Sequence, residues 1–359
     1  MRIPYSLILA VAAFAATLAL TPAVIAFARR VDAFDRPGPR RIHREPVPTL
    51  GGLAMVIAVL GVAWVARLLP GPAQVLDLRA LEGLTWAALV LVTLGVWDDL
   101  RPVSPWIKLA FQAAAAVVLF AHGFGVPAIT NPFGPAVVSG AFNLPLTIAW
   151  VVLVVNAVNV IDGLDGLAAG VVLIAALALW WVGHEHANLY VMFICSGLIG
   201  AMLGFLPYNF PPAKVFMGDT GSQPLGLLLA AVSLLENSKS TATVTLLLPL
   251  VAMAVPITDG AIAFVRRFVH GQPVFGADAQ HVHHRLIHLG LTQRQAVLFL
   301  WFVCLYFGVM AVVLAQLPRP YALMLAAVLA AGVFLVFMAL EFIDRALTGR
   351  RGRPEKEEP

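Results

Sequence analysis

Charge is scarce in this sequence. Of its 359 residues only 12% are Asp, Glu, Lys or Arg, while 60% are hydrophobic, against about 25% charged in a typical soluble domain. A water-soluble globular protein is excluded, and a polytopic membrane protein remains. Cysteine is nearly absent too. Cys195 and Cys304 both lie inside apolar runs and no CxxC occurs, so they are expected to behave as small core hydrophobes and not as a disulfide or a metal site. The zinc signature HExxH is missing as well. The formal net charge of +4 does not call for a nucleic-acid partner, because membrane topology accounts for the basic residues. No internal repeat is evident.

What the sequence has in quantity is apolar runs long enough to cross about 30 Å of hydrocarbon. They fall near residues 5–28, 50–70, 84–97, 106–122, 145–161, 166–183, 189–206, 222–235, 242–265, 295–317 and 321–343. The first exceeds the roughly 7 to 15 apolar residues of a signal-peptide core, so it is expected to stay as a membrane helix although Ala26-Phe27-Ala28 resembles a cleavage site. The expected fold is an all-α polytopic membrane protein of about eleven transmembrane helices. Residues 1–343 are expected to form a single transmembrane domain, and 344–359 a charged, disordered tail.

Eighteen of the 23 Lys and Arg residues fall in one set of loops and in the tail. Short loops rich in Lys and Arg stay in the cytoplasm, which places the N-terminus outside and the C-terminus inside. All the unusual polar stretches then share the cytoplasmic face: 29–52, 97–102, 159–166, 207–222 and 266–295.

Each stretch has a chemical reading beside a plain one. In NAVNVIDGLDGLAAG (156–170), two asparagines and two carboxylates end an apolar segment, where polar groups usually mark a site. Helical spacing would set Asn159 and Asp162 on one face if the helix persists that far; the plain alternative is a hairpin turn. Asp98 and Asp99 follow Trp97 and either cap a loop or share a cation. In FMGDTGS (216–222), Asp219, Thr220 and Ser222 could cap a helix. The glycines there equally leave room for a phosphate, and Asp219 is an oxygen ligand of the kind Mg²⁺ prefers. Lys108 and Gln112 share a helix face four residues apart, Lys108 being otherwise a snorkelling anchor. Asp259 ranks below these. His281, His283, His284 and Arg285 match no familiar zinc spacing and suit a phosphate or sugar ligand. Acids for a divalent metal, cations for phosphates and a membrane wall for a lipid together point to phosphoryl transfer at the membrane surface.

These motifs resemble, in family order, those of the polyprenyl-phosphate N-acetylhexosamine-1-phosphate transferases, of glycosyltransferase 4 type. This membrane family includes the enzymes that start peptidoglycan, enterobacterial common antigen, O-antigen and teichoic acid synthesis. The matching stretches are DRPGPRRIH (35–43), PTLGG, WDDL, NAVNVIDGLDGLAAG and VFMGDTGS. HVHHRL resembles the HIHH motif of the branch using UDP-N-acetylglucosamine and not the consecutive histidines of the phospho-MurNAc-pentapeptide branch. Val282, and Gln223-Pro224 after GDTGS, depart from the pattern without touching a polar role.

The resemblance implies transfer of a sugar-1-phosphate from a UDP-sugar to undecaprenyl phosphate at the inner membrane. UMP is released, and Mg²⁺ is the cofactor with Mn²⁺ as a substitute. It also implies Asp98, Asp99, Asp162 and Asp219 as catalytic carboxylates, with Asp219 the leading metal ligand supported by Asp98 and Asp99. Asn159 and Asp162 with Asp165 would shape the nucleotide side, and Lys108, His281, His283, His284 and Arg285 would hold the diphosphate and sugar. Another UDP-N-acetyl sugar, or phospho-MurNAc-pentapeptide, is the alternative donor. A secondary transporter would gather its polar groups near the midplane on broken helices, whereas here they cluster at one face. A zinc-dependent hydrolase would use the histidines. Homodimerisation leaves no signature in the sequence.

Overall fold

The computed structural model describes residues 2–36, 45–129, 137–239, 285–287, 289–318 and 321–335, and single positions at 254, 257, 258, 267 and 338. The described chain is a helical bundle. Its helices are α1 (Arg2–Arg30), α2 (Gly52–Arg67), α3 (Leu78–Leu100), α4 (Pro105–Ala121), α5 (Asn143–Ile161), α6 (Leu167–Glu185), α7 (Leu189–Asn209), α8 (Asp219–Lys239) and α9 (Gln293–Gln316), followed by α10 (Tyr321–Leu335). Two small antiparallel pairs lie between helices. β1 (Phe34–Asp35) joins β2 (Val47–Pro48), and β3 (Ala128–Ile129) joins β4 (Val137–Val138).

Six helices, α1, α3, α5, α6, α7 and α9, are long and apolar enough to cross a membrane, and α2, α4 and α10 are shorter apolar helices. The protein is therefore a multi-pass helical membrane protein. Ten of the expected segments coincide with helices; the one at 242–265, apart from positions 254, 257 and 258, lies outside the described residues, Asp259 included. The helix α1 continues through Ala26-Phe27-Ala28.

Boundaries follow local chemistry. The Asp77 carboxylate accepts from the Ala80 N–H and so starts α3 before the charged residues Arg79 and Glu82. Ser104 caps α4 and Pro105 follows at its first position, where the missing N–H is no loss. Thr292 and Gln295 form a capping box on α9. Pro22 inside α1 cannot bond the Leu18 carbonyl. The Tyr208 hydroxyl on α7 donates to that carbonyl instead, at 3.1 Å, as backbone in an apolar bundle requires.

At the centre stands α8, which packs against α2, α3, α5, α6 and α7. Leu225 and the run Leu227 to Val232 are fully buried, because this helix is surrounded by protein and not by lipid. On the outer helices, by contrast, Trp86, Trp97, Trp106, Trp181 and many Leu and Val side chains are exposed. Helix association in lipid relies on close backbone approach, and Gly95 supplies it. A Cβ built at Gly95 would lie 2.4 Å from the Thr220 Cα and backbone nitrogen, so α3 meets the start of α8 through this position.

Gly95→Ala is expected to destabilise the protein by about 1–3 kcal/mol, seen as a lower midpoint of thermal unfolding in detergent. Gly61→Ala, where a Cβ meets nothing within 4 Å, serves as the control and should match or slightly exceed the parent.

Candidate active site

The described parts of the polar stretches converge on the start of α8 at one end of the bundle. The stretch after β2 is tied there by backbone: the Phe216 N–H donates to Pro48, Gly51 to Phe216 and Gly52 to Met217. The DGLDG turn is tied by side chains. The Asn209 amide oxygen accepts from the Gly166 N–H and its nitrogen donates to the Val215 carbonyl. Asp165 accepts from the Ala213 N–H at 2.9 Å, and Asn159 accepts from the Ser222 hydroxyl at 2.8 Å. The helix α5 ends at Ile161, with Asp162 as its C-cap. Asn159 and Asp162 therefore do not continue one helical face; the chain turns at Asp162 toward the same cluster.

Asp98 and Asp99 end α3 but serve different partners. Asp98 accepts from the Val103 N–H, closing the turn into α4, and from the Lys108 ammonium, each at 2.8 Å. Asp99 accepts from the Asp219 N–H at 2.9 Å, from the Thr220 N–H at 3.2 Å and from the Thr220 hydroxyl. Asp99 is thus an N-cap lent to α8 by another helix, satisfying donors that have no partner within α8. Gly218, with φ +69°, makes room for it: a Cβ there would lie 2.4 Å from the Asp99 carboxylate.

Lys108 is the charge centre. Its ammonium lies 2.8 Å from Asp98 and 2.7 Å from Asp219, with each side chain about one-fifth exposed (21% for Lys108, 17% for both acids). On Asp219 both donors, the Lys108 ammonium and the Gln223 amide nitrogen, bond the same oxygen, Oδ2, at 2.7 Å each. Oδ1 receives no hydrogen bond among the described residues. Asp162, beside them in the turn, has its carboxyl pushed well above the usual carboxylate range. Burial is the main cause, and the negative charges of Asp219, Asp99 and Asp165 add to it, opposed by a hydrogen bond from the Gly218 backbone. The cluster carries more carboxylates than the one ammonium can balance, so it favours protons or an added cation.

Among the described residues no three His, Cys, Asp or Glu side chains form a ready metal cage. Mg²⁺ does not need one, since it is commonly held by one or two carboxylates together with substrate phosphates and water. The hard oxygen donors and the uncommitted Asp219 Oδ1 fit such a partial site.

The structure thus brings together Asp98, Asp99, Lys108, Asn159, Asp162, Asp165 and Asp219. His281, His283 and His284 lie outside the described residues, and Arg285 is buried at the start of the short stretch preceding α9. The nearby Arg294 donates to the Pro211 carbonyl at 2.7 Å, which attaches α9 to the 210–218 loop. One reading needs correction: Gln223 does touch a polar role, through Asp219. Its spacing of four from Asp219 on a helix is the signal that could have found it. Asn209 had no such signal, since its partners are backbone groups brought close only by the fold.

The fold and the cluster are those of a membrane-embedded helical protein with a charged site at one end of its bundle. The glycosyl transferase family 4 model matches residues 81–237, which span α3 to α8. The probable undecaprenyl-phosphate N-acetylglucosaminyl 1-phosphate transferase of Bacillus subtilis is 32% identical over 332 residues, covering 91% of this chain and 87% of that protein. The decaprenyl-phosphate N-acetylglucosaminephosphotransferase of Mycobacterium tuberculosis is 35% identical over 352 residues, covering 89% and 87%. A phospho-N-acetylmuramoyl-pentapeptide-transferase of Desulforudis audaxviator is 32% identical over 332 residues, covering 85% and 96%. The chain belongs to glycosyl transferase family 4.

Asp99→Ala would leave two backbone N–H groups and one hydroxyl without their acceptor. At about 1–3 kcal/mol for each buried group left unpaired, a loss of stability well beyond that of Thr220→Val is expected in thermal unfolding. Equal melting of the two variants would contradict the capping role.

Proposed function

We propose that the protein transfers N-acetylglucosamine-1-phosphate from UDP-N-acetylglucosamine to undecaprenyl phosphate and releases UMP, the first membrane step of a cell-envelope glycan. The observation that carries this reading is the Lys108 ammonium bound between Asp98 and Asp219 where α3, α4 and α8 meet. It is a cation and carboxylate set suited to two phosphate substrates at the end of a lipid-facing bundle. The names of the relatives in Bacillus and Mycobacterium support the same donor sugar and a polyprenyl-phosphate acceptor. The positive-inside distribution supports an inner-membrane protein with this end of the bundle in the cytoplasm, the N-terminus outside and the tail inside.

The chemistry follows from charge. The acceptor is a phosphate monoester with a second pKa of about 6, so at neutral pH it is largely dianionic and needs little help from a base. One of its oxygens attacks the donor's sugar-linked phosphorus; a new diphosphate bond forms, and the bond from that phosphorus to the UMP oxygen breaks. Positioning and charge neutralisation dominate such transfers. Mg²⁺, or Mn²⁺ in its place, would be held through Asp219 with support from Asp98, and supplies neutralisation of the developing phosphate charge. Lys108 supplies the fixed ammonium for the diphosphate. Asp99 keeps Asp219 at the head of α8, while Asn159, Asp162 and Asp165 shape the turn on the nucleotide side. His281, His283, His284 and Arg285 are assigned to the sugar and diphosphate.

A different donor remains the second reading, favoured by the relative that acts on phospho-N-acetylmuramoyl-pentapeptide. UMP release by the purified protein in detergent, with undecaprenyl phosphate, Mg²⁺ and a panel of UDP-N-acetyl sugars, separates the two. The N-acetylglucosamine donor is expected to be the fastest, with release depending on both lipid and metal. Asp219→Asn is expected to abolish turnover. An active Asn variant at ordinary Mg²⁺ removes Asp219 from the metal role.

A further inference from the structure

A line of three amides runs from inside the bundle to Asp219. Asn156 on α5 donates from its side-chain nitrogen to the Val152 carbonyl at 2.8 Å and to the Gln112 amide oxygen at 2.7 Å. Gln112 on α4 donates to the Gln223 amide oxygen at 3.4 Å and also back to the Asn156 amide oxygen at 3.5 Å. Gln223 on α8 donates to Asp219 Oδ2 at 2.7 Å. Gln112 and Gln223 are fully buried, so their amides must find partners inside the protein.

The direction of the line is fixed at both ends. Asp219 accepts, so Gln223 must turn its nitrogen toward it and its oxygen away. Asn156 spends both protons on Val152 and Gln112, so Gln112 must offer its oxygen to Asn156 and its nitrogen to Gln223. Each amide therefore has a bond that donates toward the carboxylate, an order in which neighbouring hydrogen bonds reinforce one another, while the longer bond from Gln112 back to Asn156 pairs those two amides reciprocally.

We infer that Gln223, backed by Gln112 and Asn156, is a positioning residue that locks the Asp219 carboxylate on Oδ2 and thereby presents Oδ1 to the divalent cation and the phosphate substrates. This rests on the proposed function for the cation's part, but the amide line is a property of this chain's own packing. Gln223 is one of the positions at which the sequence departs from the motif pattern. A hydrophobic residue of similar volume there would leave the Lys108 contact and release the carboxylate to rotate about it.

The test compares the parent, Gln223→Met, Gln112→Met and the double variant, since Met conserves volume. Two quantities are read: Mn²⁺ binding by electron paramagnetic resonance with UDP-N-acetylglucosamine present and the lipid acceptor omitted, and steady-state UMP release. Removing a group that orients a metal ligand typically costs 10–100-fold in metal affinity or activity. Gln223→Met is accordingly expected to bind Mn²⁺ about tenfold more weakly and to lower kcat, with KM for the lipid unchanged and the thermal midpoint somewhat below the parent's, because the buried Gln112 amide loses its acceptor. Gln112→Met should act in the same direction but less, and the double variant should be no worse than Gln223→Met alone, because both act through one line. Unchanged Mn²⁺ binding in Gln223→Met overturns the inference, and so do penalties that simply add in the double variant. If the parent releases no UMP from any donor while Gln223→Met still weakens Mn²⁺ binding, the proposed reaction fails and the positioning role stands.

Discussion

The ammonium of Lys108, held between Asp98 and Asp219, is the interaction on which the rest of the site depends. Two carboxylates brought together at the end of a lipid-facing bundle would repel strongly in so little water. One cation between them turns that repulsion into a link among three helices. Because lipid offers helices no hydrophobic reason to associate, a link of this kind fixes which faces of α3, α4 and α8 meet. It also leaves the cluster with more carboxylates than cations, whose charges add to the burial that pushes the Asp162 carboxyl up, and so prepared for a metal or a cationic clamp on phosphate.

Around that link the fold is arranged to hold the start of α8 in place. Asp99 caps α8 from a neighbouring helix, and Asn209 and Asp165 fasten the loop before α8 to the turn after α5. Gly95 and Gly218 remove the side-chain atoms that would block these approaches. The functional groups consequently sit on helix ends and on short, tied turns, which is the kind of support that a reaction governed by positioning needs.

The helices were legible because their apolar runs are long, and the polar residues that gather at the start of α8 because carboxylates and amides are so costly at the edge of such runs. The extents were less legible. The apolar run at 84–97 underestimates α3, because Asp77 caps the helix and Arg79 finds the Ala121 carbonyl. The run at 222–235 misses the first turn of α8, whose cap comes from Asp99 on another helix. Roles that depend on distant partners were not legible either. Asp98 and Asp99 are adjacent in sequence, yet one holds the ammonium and the other a helix end. Nothing local distinguishes them, since the difference lies in Lys108 and Thr220. Gln223 likewise reads as a neutral departure until α4 and α5 are packed beside it.

The most direct measurement follows the phosphorus. A UDP-N-acetylglucosamine donor labelled only at the sugar-linked phosphate would be incubated with the purified protein, Mg²⁺ and undecaprenyl phosphate, and the lipid extracted. The account predicts that label and sugar enter the lipid together in equal amounts, with unlabelled UMP left in water. Sugar reaching the lipid while the label stays behind in UDP would mean ordinary glycosyl transfer, and would contradict the claim that this cluster exists to move a phosphoryl group.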